Sequence, residues 1–242
     1  MKRPAELRAS SPGKKPKGTA EASAVSGSSE ADAGAAYLLL HGITVHEEGL
    51  PPPCLSLAAA PFPPQLVSLL LKQGFATPSP VQAATWPIAA DGRDVLAIAK
   101  TGSGKTLGFL LPVMARCLRE RIALAAKGGG SSGHPLALIM APTRELGLQI
   151  AAEAAKFGKA VGCRAVAVYG GAKKDKQVKA LQAGCEMIVG TPGRIADVLD
   201  TKGGNNGKHK PCCSVSSLCM LVLDEADRML DMGFEKSIRD IA

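Results

Sequence analysis

The sequence predicts an α/β fold built on a mainly parallel sheet with helices on both faces. Three observations predict it. Apolar runs of strand length alternate with segments of helix length from about residue 95 onward. The runs at 95–99, 136–141 and 218–223 are apolar almost throughout, as strands buried on both faces are. Gly, Pro and polar clusters punctuate the alternation where turns belong.

The elements follow in order. Residues 1–36 are rich in Ala, Ser, Gly, Lys and Pro without apolar periodicity, and are expected to be a disordered basic tail. Residues 37–54 read as a linker and 55–242 as one domain. A short helix carries Leu66, Leu69, Leu70 and Leu71 after Pro63-Pro64, and Gly74 ends it. A second helix covers 79–89. Then come a strand at 95–99, a helix at 105–121, a strand at 136–141 and a helix at 144–157. A strand at 165–169, a helix at 174–182, a strand at 187–189, a helix at 194–199 and a strand at 218–223 complete the alternation. The Gly-rich polar stretches 127–134 and 202–210 are expected as surface loops.

Composition narrows the function classes. Apolar residues make up 46% of the 242, which suits a globular domain. Aromatics make up only 3%, which disfavours any nucleic-acid binding built on rows of base-stacking rings. The net charge of +8 suits a polyanionic partner. Much of it sits in the first twenty residues, where Lys2, Arg3, Arg8, Lys14, Lys15 and Lys17 face only Glu6. The run Lys14-Lys15-Pro16-Lys17 reads as a nuclear import patch. The seven cysteines form no C-x-x-C pair and no zinc spacing, and read as reduced thiols. No apolar run approaches the roughly 20 residues of a membrane span, so no membrane partner is expected.

Residues 99–106 read Ala99-Lys100-Thr101-Gly102-Ser103-Gly104-Lys105-Thr106, between a predicted strand and a predicted helix. That context makes a phosphate-binding loop credible. Gly102 and Gly104 let the backbone turn its N–H groups inward, and the helix N-terminus adds partial positive charge. Lys105 would reach the β- and γ-phosphates of a nucleotide, and Thr106 would offer its hydroxyl to Mg²⁺. The strict pattern asks for Gly at position 99, where this chain has Ala.

The apolar run 218–223 leads straight into Asp224-Glu225-Ala226-Asp227. Ligands of open parallel sheets bind beyond the carboxyl ends of the strands. Asp224 is therefore expected to hold Mg²⁺, a hard cation that takes few carboxylates. Glu225 is expected to orient and deprotonate the attacking water. The two motifs read as complementary halves of one ATP site.

These motifs resemble those of the DEAD-box ATP-dependent RNA helicases, whose signature Asp224 to Asp227 spells. The resemblance implies a RecA-like P-loop NTPase domain, the first of two such domains, and Ala99 is what that family carries. Gly74-Phe75 with Pro78 and Gln82 resembles the Q motif, which implies that Gln82 reads the adenine edge and that Phe75 lies at the ATP site. Pro142-Thr143-Arg144-Glu145-Leu146, Gly170-Gly171 and Thr191-Pro192-Gly193-Arg194 resemble motifs Ia, GG and Ib. These imply contacts to the sugar-phosphate backbone of single-stranded RNA with little base preference. Arg228 to Phe234, Trp86-Pro87 and Gly92-Arg93-Asp94 fit as well.

The departures are specific. Leu57 stands where the family has an adenine-stacking aromatic, with Phe62 five residues on. The Ser-Ala-Thr motif and the second RecA-like domain with its arginine fingers are not in this sequence, so Asp227 would lack its interdomain partner. An arginine finger contributes about 10³ to 10⁵ in rate, so the chain alone is expected to turn ATP over very slowly. The leading expectation is therefore a monomeric helicase domain that uses Mg²⁺ and ATP to unwind short RNA duplexes. The alternative is a short module that binds ATP or RNA without unwinding. An unrelated P-loop enzyme would explain neither the Q motif nor the middle motifs. By analogy with basic-tailed members, and from His41-Gly42-Ile43-Thr44-Val45, a nuclear or nucleolar role in ribosome biogenesis is expected.

Overall fold

The computed structural model describes residues 5–9, 30–126, 134–199 and 213–241. The elements are β1 (Ala5–Ala9), α1 (Glu30–Leu40), β2 (Ile43–Val45), α2 (Pro64–Lys72), α3 (Pro80–Ala90), β3 (Val95–Ile98), α4 (Lys105–Ala126) and β4 (Ala137–Met140). After them come α5 (Arg144–Gly158), β5 (Ala165–Val168), α6 (Lys174–Gln182), β6 (Met187–Gly190), α7 (Pro192–Leu199), β7 (Met220–Leu223), α8 (Ala226–Asp231) and α9 (Glu235–Arg239). The alternation from residue 95 onward follows the sequence reading, except that β3, read as a buried strand, leaves Leu96 and Ile98 exposed. The main difference there is α4, which runs past Arg121 to Ala126 because Ile122-Ala123-Leu124-Ala125-Ala126 contains good helix formers and no breaker. Strongly apolar helices of membrane-spanning length are absent among the described residues.

The amino-terminal part departs from the expected tail and linker. β1 is a strand that pairs antiparallel with β2 and parallel with β3. A backbone ladder needs no apolar periodicity, so composition alone did not reveal it. The Ala- and Leu-rich run of α1 has high intrinsic helix propensity. The import run at 14–17 and the loop stretches 127–133 and 202–210 lie outside the described residues.

The chain forms two compact units, up to Pro112 and from Val113, where the sequence predicts one domain over 55–242. The strands explain the division. β3 joins a three-stranded sheet in the order β2-β1-β3, whereas β4 to β7 form a separate four-stranded sheet.

In the first unit, α2 buries Leu66 and Leu70, which lie four apart on one face. Gly74, in the left-handed region at φ +84°, ends that helix. Trp86 of α3 is fully buried, and its indole Nε1 donates to the Leu107 carbonyl at 3.1 Å, fixing α3 against the start of α4.

In the second unit the strand order is β5-β6-β4-β7, all parallel. Ala137 is level with both Met187 and Met220, and Ala165 with Met187. The four carboxyl ends therefore emerge along one edge. Leu138, Met140, Val166, Val168 and Ile188 face Leu181 of α6, Ile195 and Val198 of α7, and Met229 of α8. The alternate residues Ala137, Ile139, Met187 and Val189 are equally buried, so both faces of the sheet are covered. β7 is an edge strand, and Leu221 and Leu223 on it remain 42% and 38% exposed.

Candidate nucleotide and nucleic-acid sites

The phosphate loop of the first unit leaves β3 and enters α4 at Lys105. Its turn depends on Gly102 at φ +76° and Gly104 at φ +92°, where other residues are strained. Ser103 N–H closes the turn on the Lys100 carbonyl at 3.3 Å, and Gly108 N–H bonds the Gly104 carbonyl at 3.1 Å. Lys105 Nζ donates to the Ala99 carbonyl at 2.8 Å, so the ammonium folds back over its own loop. Lys100, Thr101 and Gly102 are exposed along the loop, while Ala99, Ser103, Gly104, Lys105 and Thr106 are half-buried. The hydroxyl of Ser103 is buried with no partner among the described residues.

Gln82 locks this loop to α3. Its amide Nε2 donates to the Gly104 carbonyl at 3.0 Å, and its Oε1 accepts from Ser79 N–H at 3.0 Å. The side chain is only 3% exposed. The sequence reading has this amide face an adenine edge; in the structure its Nε2 holds the phosphate loop at Gly104 and its Oε1 caps α3 at Ser79. One N–H and one lone pair of the amide remain for a base. A Cβ at Gly104 would lie 2.6 Å from Gln82 Nε2, so the position requires glycine for closeness as well as for φ. Phe75 is half-buried, its N–H bonded to the Leu70 carbonyl at 3.2 Å. Leu57 is 3% exposed in a 3₁₀ turn, and the Phe62 ring packs edge-on against Trp86 with centroids 5.0 Å apart. Phe62 is thus committed to the packing around Trp86.

In the second unit the register brings three predicted segments together at the carboxyl edge. After β4, Pro142 is buried and Thr143 caps α5, its hydroxyl accepting from Leu146 N–H at 3.3 Å. That cap presents Arg144, whose guanidinium lies 4.9 Å from the centroid of the Tyr169 ring. After β5, Gly170 is exposed and Gly171 turns at φ +78°, and a Cβ on it would meet Arg144 Nη1 at 3.4 Å. After β6, Thr191 N–H bonds the Val168 carbonyl at 3.0 Å, and Pro192 opens α7 from a buried position. A Cβ at Gly190 would overlap that same carbonyl, so glycine is required there. Gly193 is exposed at the start of α7. Arg194 Nη1 donates to the Ala172 carbonyl at 3.0 Å, and its Nε lies 3.5 Å from Asp197. Asp197 also receives Lys174 Nζ at 2.6 Å.

The sequence reading left Tyr169, Lys174 and Asp197 out of this cluster. Tyr169 was within reach of it, being the residue directly before Gly170-Gly171. Asp197 stands three residues after Arg194, a helical neighbour distance, and that spacing was its only signal. Arg194 acts in part as a brace for the glycine turn, where the sequence read it as a free phosphate ligand.

The acidic box follows β7. Asp224 N–H extends the ladder to the Met140 carbonyl at 3.0 Å, and Asp224 is half-buried. Glu225 stands at φ 52°, ψ 50°, the only non-glycine residue at positive φ among the described residues. That conformation costs about 1 kcal/mol or more and recurs at functional positions. The carboxylate of Glu225 lies 3.3 Å from Arg228 Nη1. Asp227 is exposed in the first turn of α8, and Met229 anchors that helix in the core. A threonine hydroxyl and a carboxylate are hard oxygen donors, so Thr106 of the first unit and Asp224 of the second are each suited to Mg²⁺ in donor chemistry.

Comparison with known proteins places the chain in a family. The family model described as DEAD/DEAH box helicase matches residues 79–242. The chain is 46% identical over 206 residues to DEAD-box ATP-dependent RNA helicase 14 of Arabidopsis thaliana, covering 85% of this chain and 31% of that protein. It is 43% identical over 199 residues to ATP-dependent RNA helicase DBP2 of Mycosarcoma maydis, covering 82% of this chain and 33% of that one. The chain thus spans about a third of the length of these curated relatives. Among solved structures, the yeast DEAD-box splicing factor Prp28 superposes with a TM-score of 0.75 at 30% identity, covering 88% of this chain and 48% of that one. The Prp28 RNA helicase of Chaetomium thermophilum bound to ADP gives 0.73 at 35% identity, with the same coverages.

Proposed function

Because this chain belongs to the DEAD/DEAH box helicase family, we propose that it is the ATP-binding part of an RNA helicase that couples Mg²⁺-dependent ATP hydrolysis to a grip on single-stranded RNA. The observation that carries the proposal is the phosphate loop: two left-handed glycines on a strand-to-helix turn, with Lys105 as the first helical residue.

On this reading Lys105 leaves the Ala99 carbonyl and neutralises the β- and γ-phosphates of ATP, while the loop N–H groups from residues 100–106 cradle them. Thr106 and Asp224 would hold Mg²⁺, which when bound would supply positive charge to the transferred phosphoryl group. Glu225 accepts the proton of the attacking water. Gln82 keeps its bond to Gly104 and offers its spare amide positions to the base. Asp227 couples the site to a second RecA-like domain, whose arginine fingers bring turnover to a useful rate.

The RNA reading rests on the cluster around Gly171. Thr143, Arg144, Gly170, Gly171, Thr191, Pro192, Gly193 and Arg194 supply helix N-termini, bare backbone and guanidinium groups, which suit phosphodiester oxygens rather than base edges. The import run at 14–17 supports a nuclear site, and nucleolar work on ribosomal RNA precursors remains part of the proposal. Imaging a tagged protein with Lys14, Lys15 and Lys17 replaced by Ala tests the location.

The activity is tested by RNA-stimulated ATP hydrolysis, with this chain joined to the second domain of a relative. Glu225→Gln should leave ATP and RNA binding intact and lower turnover by about 10² or more. Unchanged turnover would remove Glu225 from the role of general base.

A further inference from the structure

β5 is the outer strand of its sheet, and its open edge runs along a groove of about 350 Å³ beside α6. The direction of its backbone groups follows from its hydrogen bonds. The carbonyls of Arg164 and Val168 accept from Met187 and Thr191 on the β6 side. The even-numbered residues therefore face β6, and Ala165, Ala167 and Tyr169 turn their N–H and C=O groups outward. Tyr169 shows what that edge accepts. The carboxamide of Gln177 receives Tyr169 N–H at 3.2 Å and donates to the Tyr169 carbonyl at 3.0 Å. One side chain thus forms the pair of bonds that a residue of an adjoining antiparallel strand would form. Ala165 and Ala167 have no such partner among the described residues.

The rest of the groove completes the picture. Both alanine side chains are small enough to let another backbone approach. Lys173, Lys176 and Arg164 line the groove and no carboxylate does, among the described residues. Ala165-Val166-Ala167-Val168 is short and Gln177 plugs its end, but the strand itself carries no proline, bulge or charge that would bar a further strand.

We propose that this groove is a docking site for an extended acidic peptide, which adds to β5 as a further strand beyond the Gln177 plug. Backbone bonds to Ala165 and Ala167 would provide affinity, and the two lysines would select carboxylates. Chemistry favours a peptide over nucleic acid here. Phosphodiesters offer only acceptors and would set oxygen against the outward carbonyls of Ala165 and Ala167, whereas a strand brings N–H groups to both.

The test uses the full chain and a fluorescein-labelled peptide of alternating Val and Glu, read by anisotropy and by amide hydrogen exchange. Saturable binding is expected, with slowed exchange at Ala165 and Ala167. The Lys173→Glu/Lys176→Glu pair should weaken binding about tenfold or more at low salt. Ala167→Pro should weaken it comparably, because it deletes an outward N–H that the sheet itself does not use. Absence of saturable binding, or affinity indifferent to both variants, would overturn the proposal. So would displacement of the peptide by an oligouridine whose own binding falls with the lysine reversal and not with Ala167→Pro, since the groove would then be an extension of the RNA path.

Discussion

The Gln82 amide donates to the Gly104 carbonyl at 3.0 Å, so a side chain of α3 holds the last turn of the phosphate loop before Lys105. This contact makes the Q motif part of the loop's architecture as well as a candidate base reader. Gln82→Ala should therefore weaken binding of inorganic triphosphate as well as ATP, by several-fold or about 1 kcal/mol for a lost hydrogen bond. Calorimetry with both ligands checks it. A loss confined to ATP would mean that Gln82 touches only the base.

Gly104→Ala should be more severe. Its Cβ would collide with Gln82 Nε2, and alanine would be strained at φ +92°. A loss of about 1 to 3 kcal/mol in stability is expected in urea unfolding, with nucleotide binding lost as well. Gly102→Ala, at φ +76° with open space around the added methyl, should cost less.

Tyr169 and Arg144 should behave as a pair in RNA binding. Removing the ring by Tyr169→Leu frees the guanidinium that lies over it. The variant should lose RNA affinity by about 0.5 to 1 kcal/mol while keeping the salt slope. Arg144→Ala should lower both the affinity and the slope, because a charge leaves the interface. Titrations of a labelled oligouridine across salt concentrations separate the two outcomes.

Stability should fall in alkali. Burial pushes the thiols of Cys54 and Cys219 above their ordinary 9.0; a bond to Cys163, with burial, does the same for Cys117, and that bond lowers Cys163 in turn. A raised thiol in the folded state means that the unfolded chain releases its protons first. The contribution is intact below about pH 9 and is lost as pH rises from there toward the folded values. Under reducing conditions, melting temperature should drop above pH 9, and Cys54→Ala should flatten that drop even if it lowers stability overall.

Much of this was legible in the sequence because the motifs obey backbone physics. A Gly-x-Gly-Lys-Thr run between a strand and a helix has few other uses, and apolar runs such as Ala137–Met140 read directly as buried strands. What escaped was set by pairing rather than composition. β1 is short, alternating apolar and charged residues over only five positions, and its ladders to β2 and β3 make it a strand. The Arg144–Tyr169 and Arg194–Ala172 contacts depend on the register of β4, β5 and β6, which no local spacing encodes. The commitment of Gln82 to Gly104 was hidden for the same reason, since its partner lies 22 residues away.

If, as proposed, the phosphate loop and the acidic box serve one metal-bound nucleotide, calorimetric ATP titration of the native chain, Lys105→Ala and Asp224→Asn, with and without Mg²⁺, reveals it. Lys105→Ala should abolish binding in both conditions. Asp224→Asn should bind metal-free ATP as the native chain does, yet lose the gain in affinity that Mg²⁺ brings. A full Mg²⁺ gain in Asp224→Asn, or native affinity in Lys105→Ala, would contradict the account.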